Sequence, residues 1–141
     1  MLHPIVDEKI IHVASISASS SVDLDAYRAS KNAASSHRAY SESKLINVLQ
    51  ACAYAERLGN LIVQSLDPGT VNTKMLLAGW GACGIDVSAA DNQFKLATRA
   101  GDSGAYFVND RQARYPSTMC TDRGSLEMLL KVLKEHTGVG L

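Results

Sequence analysis

One long helical pattern, flanked by two short apolar runs, constrains the fold of this chain more than any other feature of its sequence. Between residues 45 and 58 apolar side chains recur every three or four positions, which is the spacing of one buried helix face. The residues of this pattern are Leu45, Val48, Leu49, Cys52, Ala55 and Leu58. The runs on either side, at 10–14 and 61–66, suit buried parallel strands. Strand, helix and strand in this order predict a right-handed crossover unit.

The rest of the chain adds a third strand and a last helix to this unit. An apolar run at 105–108 is typical of a short strand, and a polar, basic loop containing Arg111 is expected after it. Asp122 can cap a helix whose leucines form one stripe and which ends near Gly138. We therefore expect one α/β domain over 1–141, with about three parallel strands and flanking helices.

The balance of charge argues against several classes of partner. The 141 residues carry 14 Lys and Arg and 14 Asp and Glu, so no chain-wide field attracts nucleic acid or an anionic membrane. Charged residues at 7–9 interrupt any apolar signal segment, and no run of about 18 apolar residues occurs. We expect a cytoplasmic protein that binds neither nucleic acid nor membranes.

The cysteines do not form a metal-binding pattern. Cys52, Cys83 and Cys120 are far apart, with no Cys-x-x-Cys pair and no histidine at zinc-ligand spacing. We expect three reduced thiols and no metal site.

A tyrosine and a lysine lie one turn apart near the start of the long helix. Tyr40 and Lys44 share one helix face, with Ser43 beside them. A phenol is a poor acid near neutral pH, but a lysine cation held close favours the phenolate and suits the tyrosine to proton transfer. Ser15 is the first polar residue after the strand at 10–14, and ligands of open α/β sheets bind at this end of the strands. These residues indicate a site for proton transfer to a substrate oxygen.

The order and spacing of three motifs resemble the short-chain dehydrogenases/reductases, closest to their retinol-dehydrogenase-like branch. The motifs are a strand ending in Ser15, a helix with Tyr40-Ser41-Glu42-Ser43-Lys44, and a turn with Asp67-Pro68-Gly69-Thr70-Val71-Asn72-Thr73. The likeness covers most of 9–75 and extends more weakly to the last helix. It implies the C-terminal half of a Rossmann-like doubly wound parallel sheet.

This resemblance implies a role for each residue of the three motifs. Tyr40 would be the general acid/base of carbonyl reduction or alcohol oxidation, and Ser15 would hold the substrate oxygen. Tyr40 and Lys44 would also contact the cofactor, NAD or NADP, with Lys44 on the ribose hydroxyls. The residues that would approach the nicotinamide carboxamide are Pro68, Gly69, Val71 and Thr73. Residues 75–98 match the family's variable substrate flap, so a small-molecule alcohol or carbonyl substrate is expected.

A second Tyr-x-x-Ser-Lys sequence runs from Tyr27 to Lys31, and only one of the two can be catalytic. Lys44 precedes the long apolar helix face, whereas Lys31 precedes no such face. We therefore favour Tyr40. Tyr27 is interpreted as a loop tyrosine within 16–37, a segment that has little to bury and predicts a loop or a short helical excursion.

The family's glycine-rich dinucleotide fingerprint has no counterpart in this sequence. Gly79, Gly81 and Gly84 do not follow a predicted strand. We therefore expect the chain alone to bind neither NAD nor NADP tightly, and the dinucleotide-binding half to be supplied in cis or in trans. Two functions stay open. The chain is either an oxidoreductase half, or a non-enzymatic remnant that forms a homo-oligomer or binds a full-length relative.

Overall fold

The chain folds around a four-stranded sheet. The computed structural model describes residues 8–29 and 35–140. The strands are β1 Lys9–Val13, β2 Ile62–Asp67, β3 Tyr106–Val108 and β4 Arg111–Gln112. They lie in the order β1-β2-β3-β4, with the first three parallel and β4 antiparallel to β3. The fold is therefore α/β with a mostly parallel sheet.

Five α-helices flank the sheet within the described ranges. They are α1 Leu24–Arg28, α2 Ser36–Arg57, α3 Lys74–Trp80, α4 Asn92–Thr98 and α5 Arg123–Thr137. Single 3-10 turns lie at Val87–Ala89 and Thr118–Cys120. As predicted, the Asp122 carboxylate caps α5, and Gly138 ends it with a φ of 72°.

The predicted strand, helix and strand unit is confirmed. β1, β2 and β3 begin and end within one residue of their expected bounds. In the parallel register of β1 and β2, Lys9 lies beside Ile62 and Val13 beside Leu66. Ser35 caps the connecting helix α2, which ends at Arg57.

The fourth strand corrects the prediction of a polar loop around Arg111. Asn109 has a φ of 56°, and this left-handed conformation lets the chain turn back so that β4 pairs with β3. The two residues of β4 are polar and exposed. No apolar alternation could have revealed this strand, because it buries no side chain.

The interpretation of Tyr27 as a loop tyrosine is wrong, whereas the short helical excursion predicted within 16–37 is confirmed. Tyr27 is on α1, a short helix that Asp23 caps and whose Leu24 is buried. The tyrosine is half-buried and packs against the main core. Lys31, its partner in the second Tyr-x-x-Ser-Lys sequence, lies outside the described residues.

The main core lies between one face of the sheet and helices α2 and α5. Its largest fully buried side chains include Leu45, Val48, Leu49 and Leu129. An ion pair at 2.7 Å between Arg57 of α2 and Glu127 of α5 joins these two helices. On the other face of the sheet a smaller cluster consists of Leu66, Leu96, Ala105 and Phe107.

Two further expectations concern the thiols and the membrane. Cys52, Cys83 and Cys120 all carry free thiols, and the first and last of them are buried in the main core. Across residues 8–29 and 35–140, no helix combines the length and the apolar character needed to cross a bilayer.

Candidate functional site

The polar residues predicted from sequence follow the carboxyl ends of neighbouring parallel strands. Ser15 comes two residues after β1, and Pro68 and Gly69 follow β2 directly. Asn109, which sequence reasoning did not single out, follows β3. Because parallel strands end at the same edge of a sheet, these loops share one edge, where ligands of α/β proteins bind.

Tyr40 and Lys44 are brought together in the first turns of α2, above the end of β1. The Lys44 ammonium nitrogen lies 5.5 Å from the centroid of the Tyr40 ring. It also donates a hydrogen bond to the Val13 carbonyl oxygen at 3.2 Å. Tyr40 is 37% exposed, so its side chain is open to a ligand. Helix α2 therefore fixes the predicted pair at the carboxyl edge of β1.

Ser43 and Ser15 hydrogen-bond to nearby backbone atoms. The Ser43 hydroxyl donates to the Tyr40 carbonyl at 2.7 Å, and the Ser15 hydroxyl accepts from the Ser17 N–H at 3.1 Å. The loop after β1 is tied to α2, because the Ser19 N–H donates to the Ser41 carbonyl at 3.0 Å. In the described part of the chain, no direct hydrogen bond joins Ser15 to Tyr40. A substrate oxygen would have to bridge the two hydroxyls.

The turn after β2 is held rigidly by its neighbours. The buried Asp67 carboxylate accepts a hydrogen bond from the Gly69 N–H at 2.9 Å. Gly69 has a φ of 77°, and a Cβ there would collide with the side-chain oxygen of Asn109. Asn92 of α4 donates to the Pro68 carbonyl at 3.2 Å. Pro68 and Gly69 are therefore fixed in one backbone conformation.

The second part of the turn ties the segment 75–98 to the sheet edge. Val71 pairs with Ile85 in an isolated parallel bridge. The Asn72 side chain donates to the Gly84 carbonyl and accepts from the Gly84 N–H, both at 2.8 Å. Thr73 caps α3, and its hydroxyl accepts from the Leu76 N–H.

Tyr106 is a buried polar residue close to this edge that the sequence pattern did not single out. Tyr106 of β3 pairs with Ser65 of β2, so Asp67, two residues further along β2, is its diagonal neighbour on the same face of the sheet. Burial first, and then the negative charge of Asp67, raise the pKa of Tyr106 to about 12, so this phenol stays protonated at neutral pH.

Asparagines complete the site. Asn47, one turn after Lys44, donates to the Val13 carbonyl at 2.9 Å, and Asn92 donates to the Asn109 side-chain oxygen at 3.3 Å. Asn47 lies three residues after Lys44, so the two side chains share one face of α2, and this spacing was a usable signal. Asn92 and Asn109 meet only through the tertiary fold, so the sequence held no signal for their contact.

The donor set fits the nicotinamide end of a dinucleotide better than its phosphate end. The Lys44 cation and the Tyr40 and Ser15 hydroxyls can bond a ribose diol and a carbonyl oxygen. A phosphate site of the glycine-rich kind needs several glycines between a strand and a helix. Among the described strands only β2 is followed directly by a turn containing a glycine of positive φ, and this turn has one such glycine, Gly69.

Comparison with known proteins shows the fold alone. Neither a protein-family model nor a curated protein matches this chain. A crystal structure of an uncharacterized protein from Mycobacterium paratuberculosis is similar, with a TM-score of 0.71 and 20% sequence identity. The likeness covers 94% of this chain and 51% of that one. The chain therefore spans about half the length of the protein that it resembles.

Proposed function

We propose that this chain carries the active-site half of a short-chain dehydrogenase/reductase of the retinol-dehydrogenase-like branch. Such an enzyme interconverts alcohol and carbonyl groups with NAD or NADP. The observation that carries the proposal is the position of Lys44, which bonds the last carbonyl of β1 and lies 5.5 Å from the Tyr40 ring. A lysine in this position lies beside the Tyr40 ring and can reach a ligand at the sheet edge.

The residues of the site then divide the work of proton transfer. In carbonyl reduction the Tyr40 hydroxyl gives its proton to the substrate oxygen, and in alcohol oxidation it takes that proton back. Ser15 donates a hydrogen bond to the same oxygen and orients it. A nicotinamide cofactor, when bound, supplies or accepts the hydride. Lys44 would hold its ribose hydroxyls, and the turn at 68–73 would hold its carboxamide.

The proposal includes a second half for the dinucleotide. The mostly parallel sheet would be the C-terminal half of a Rossmann-like doubly wound sheet, with the phosphate-binding half supplied in cis or in trans. The similar structure from Mycobacterium paratuberculosis supports this, because the chain matches only 51% of it. We expect calorimetric titration of the chain alone to give no tight binding of NAD(H) or NADP(H), and micromolar affinity would contradict this part.

Fusion to the amino-terminal half of a related dehydrogenase tests the catalytic assignment. We expect Tyr40→Phe to lower turnover by about a hundredfold to ten-thousandfold, since it removes a positioned proton donor. Tyr27→Phe, a matched loss of one hydroxyl from α1, should cost little turnover. Lys44→Met should lower both turnover and cofactor affinity. If Tyr27→Phe abolishes turnover and Tyr40→Phe does not, the assignment is wrong.

A second function, association with another copy of the chain, is favoured by the free edge of β1. Within the described residues β1 pairs on one side only, and Ile10 and Val13 on it are exposed. An apolar groove of about 330 Å³ adjoins Ile10 and is lined by residues of α2 and α5 such as Tyr54 and Leu130. Open edges of this kind pair with other chains. A dimer in light scattering that Ile10→Lys dissociates would support this function, and a compact monomer would contradict it.

A further inference from the structure

The last carbonyl of β1 accepts hydrogen bonds from two side chains of α2. Lys44 donates to the Val13 oxygen at 3.2 Å, and Asn47 donates to the same oxygen at 2.9 Å. A carbonyl oxygen has two lone pairs and can accept both bonds. Lys44 belongs to the proposed active site, whereas the catalytic scheme gives Asn47 no role. Either donor alone would keep this carbonyl bonded.

The Val13 carbonyl faces the free edge of β1. The Ala14 N–H donates to the Leu66 carbonyl at 2.7 Å, and the Glu8 carbonyl accepts from the Ile62 N–H at 3.2 Å, so these two residues face β2. Successive residues of a strand direct their backbone groups to opposite sides, and Val13 therefore faces away from β2. No other strand of the described chain lies on that side. The side chains of α2 replace the donor that a neighbouring strand would supply.

We propose that Asn47 is a positioning residue that frees Lys44 to bind the vicinal hydroxyls of a ribose. This inference rests on the proposed function. While Asn47 holds the Val13 carbonyl, Lys44 can turn its ammonium group from that carbonyl to a ligand without leaving a backbone acceptor unbonded. Asn47 thus occupies an acceptor that would otherwise compete with a ligand for the Lys44 ammonium group. Without Asn47, Lys44 would be held at the carbonyl.

A double-mutant cycle tests whether the two donors share the carbonyl. Lys44→Met and Asn47→Leu would be made singly and together in the full chain, and urea unfolding would be measured for each. Each single change should raise the unfolding equilibrium constant only slightly, because the other donor remains. The double variant should raise it at least about threefold beyond the product of the two single effects. Additive effects would overturn the proposal.

Titration with nicotinamide mononucleotide, followed by NMR, tests the consequence for Lys44. Asn47→Leu should weaken binding of this nucleotide about twofold to tenfold, the equivalent of one hydrogen bond. Asn47→Gln, which keeps the amide donor, should restore it. Gln50→Leu removes an amide one turn further along α2 and should leave binding unchanged. Nicotinamide alone, which has no ribose, should bind all variants equally.

The two measurements separate this inference from the proposed function. If the nucleotide binds the unmodified chain and Lys44→Met weakens it, but Asn47→Leu does not, the positioning role is overturned and the proposed function stands. If the nucleotide does not bind the unmodified chain at any concentration, the role of Lys44 towards ribose is overturned, and the role of Asn47 with it, whereas the proposed function is judged separately by the turnover of the Tyr40→Phe fusion. Equal weakening by Gln50→Leu would also overturn the role of Asn47, because any change in α2 would then suffice.

Discussion

Helix α2 and the segment 74–98 have similar lengths but meet the sheet in different ways. Helix α2 buries seven side chains, several of them with no accessible surface. The segment 74–98, all of which the structure describes, buries only Leu96. Its exposed large apolar side chains are Met75, Leu77, Trp80, Ile85, Val87 and Phe94. The first element stabilises the fold, and the second leaves an apolar surface beside the candidate site.

Polar contacts, rather than apolar packing, hold the segment 74–98 in place. The Lys9 ammonium group donates to the carbonyls of Leu96 and Arg99 at 2.8 and 2.7 Å, close to the end of α4. Asn72 holds Gly84 through two further bonds. A segment with few buried apolar contacts opens at a lower free energy than the core. This is the behaviour required of a substrate flap, and that role for 75–98 stays a prediction.

Truncating one buried leucine in each region should produce the largest difference between them. We expect Leu49→Ala to lower the free energy of unfolding by about 3–5 kcal/mol, because Leu49 has no accessible surface and lies in the main core. Leu96→Ala should cost about 2 kcal/mol, since the short helix α4 can settle into the space. Urea unfolding of both variants measures these values. If Leu96→Ala cost more than Leu49→Ala, the segment 74–98 rather than α2 would stabilise the fold most, and the contrast between them would be wrong.

Replacing Gly84 by alanine should loosen the segment 74–98 from the sheet edge while the core stays folded. A Cβ at Gly84 would collide with the Thr70 carbonyl, so the backbone must shift and the bridge between Val71 and Ile85 must weaken. We expect Gly84→Ala to cost about 1–3 kcal/mol of local stability, seen as faster hydrogen exchange of the Ile85 N–H. Gly79→Ala is the matched control, because nothing lies within 4 Å of a Cβ there. Equal exchange in the two variants would contradict this.

The same contrast explains which parts of the molecule could be predicted from the sequence. The periodicity around Leu49 reflects burial of one helix face, so it predicted α2, and the apolar runs on either side predicted β1 and β2. The segment 74–98 shows no helical or strand periodicity, because most of its apolar side chains are exposed and do not form one buried face. The site was predicted where it depends on local spacing, as for Tyr40 and Lys44. The long-range contact between Asn92 and Asn109 and the pairing of β4 leave no trace in local sequence.

The stability of the core, unlike the attachment of the segment, should fall in mild acid because of His12. Burial lowers the pKa of His12 below its ordinary value of 6.5, and its ring lies 5.7 Å from that of Tyr54. The folded state thus favours the neutral ring, so this contribution is complete above pH 6.5 and is lost as the pH falls through 6.5 towards the folded-state value. Urea midpoints between neutral and mildly acidic pH measure the loss. His12→Phe, which keeps an aromatic ring beside Tyr54, should flatten this dependence, and an unchanged slope would contradict the assignment.

Polar substitutions on the exposed surface of the segment should have the smallest effect on stability. Trp80 and Phe94 are 72% and 71% exposed, so folding removes little of their surface from water. We expect Trp80→Ser and Phe94→Ser each to change the free energy of unfolding by no more than about 0.5 kcal/mol. Phe107→Ser makes the same chemical change at a buried position of β3 and should cost about 3–5 kcal/mol.

A loss above about 1 kcal/mol at Trp80 that grows with protein concentration would mean that a second copy covers this surface, because only association links stability to concentration. A concentration-independent loss would instead mean that the segment packs against the sheet, and the contrast with α2 would be wrong.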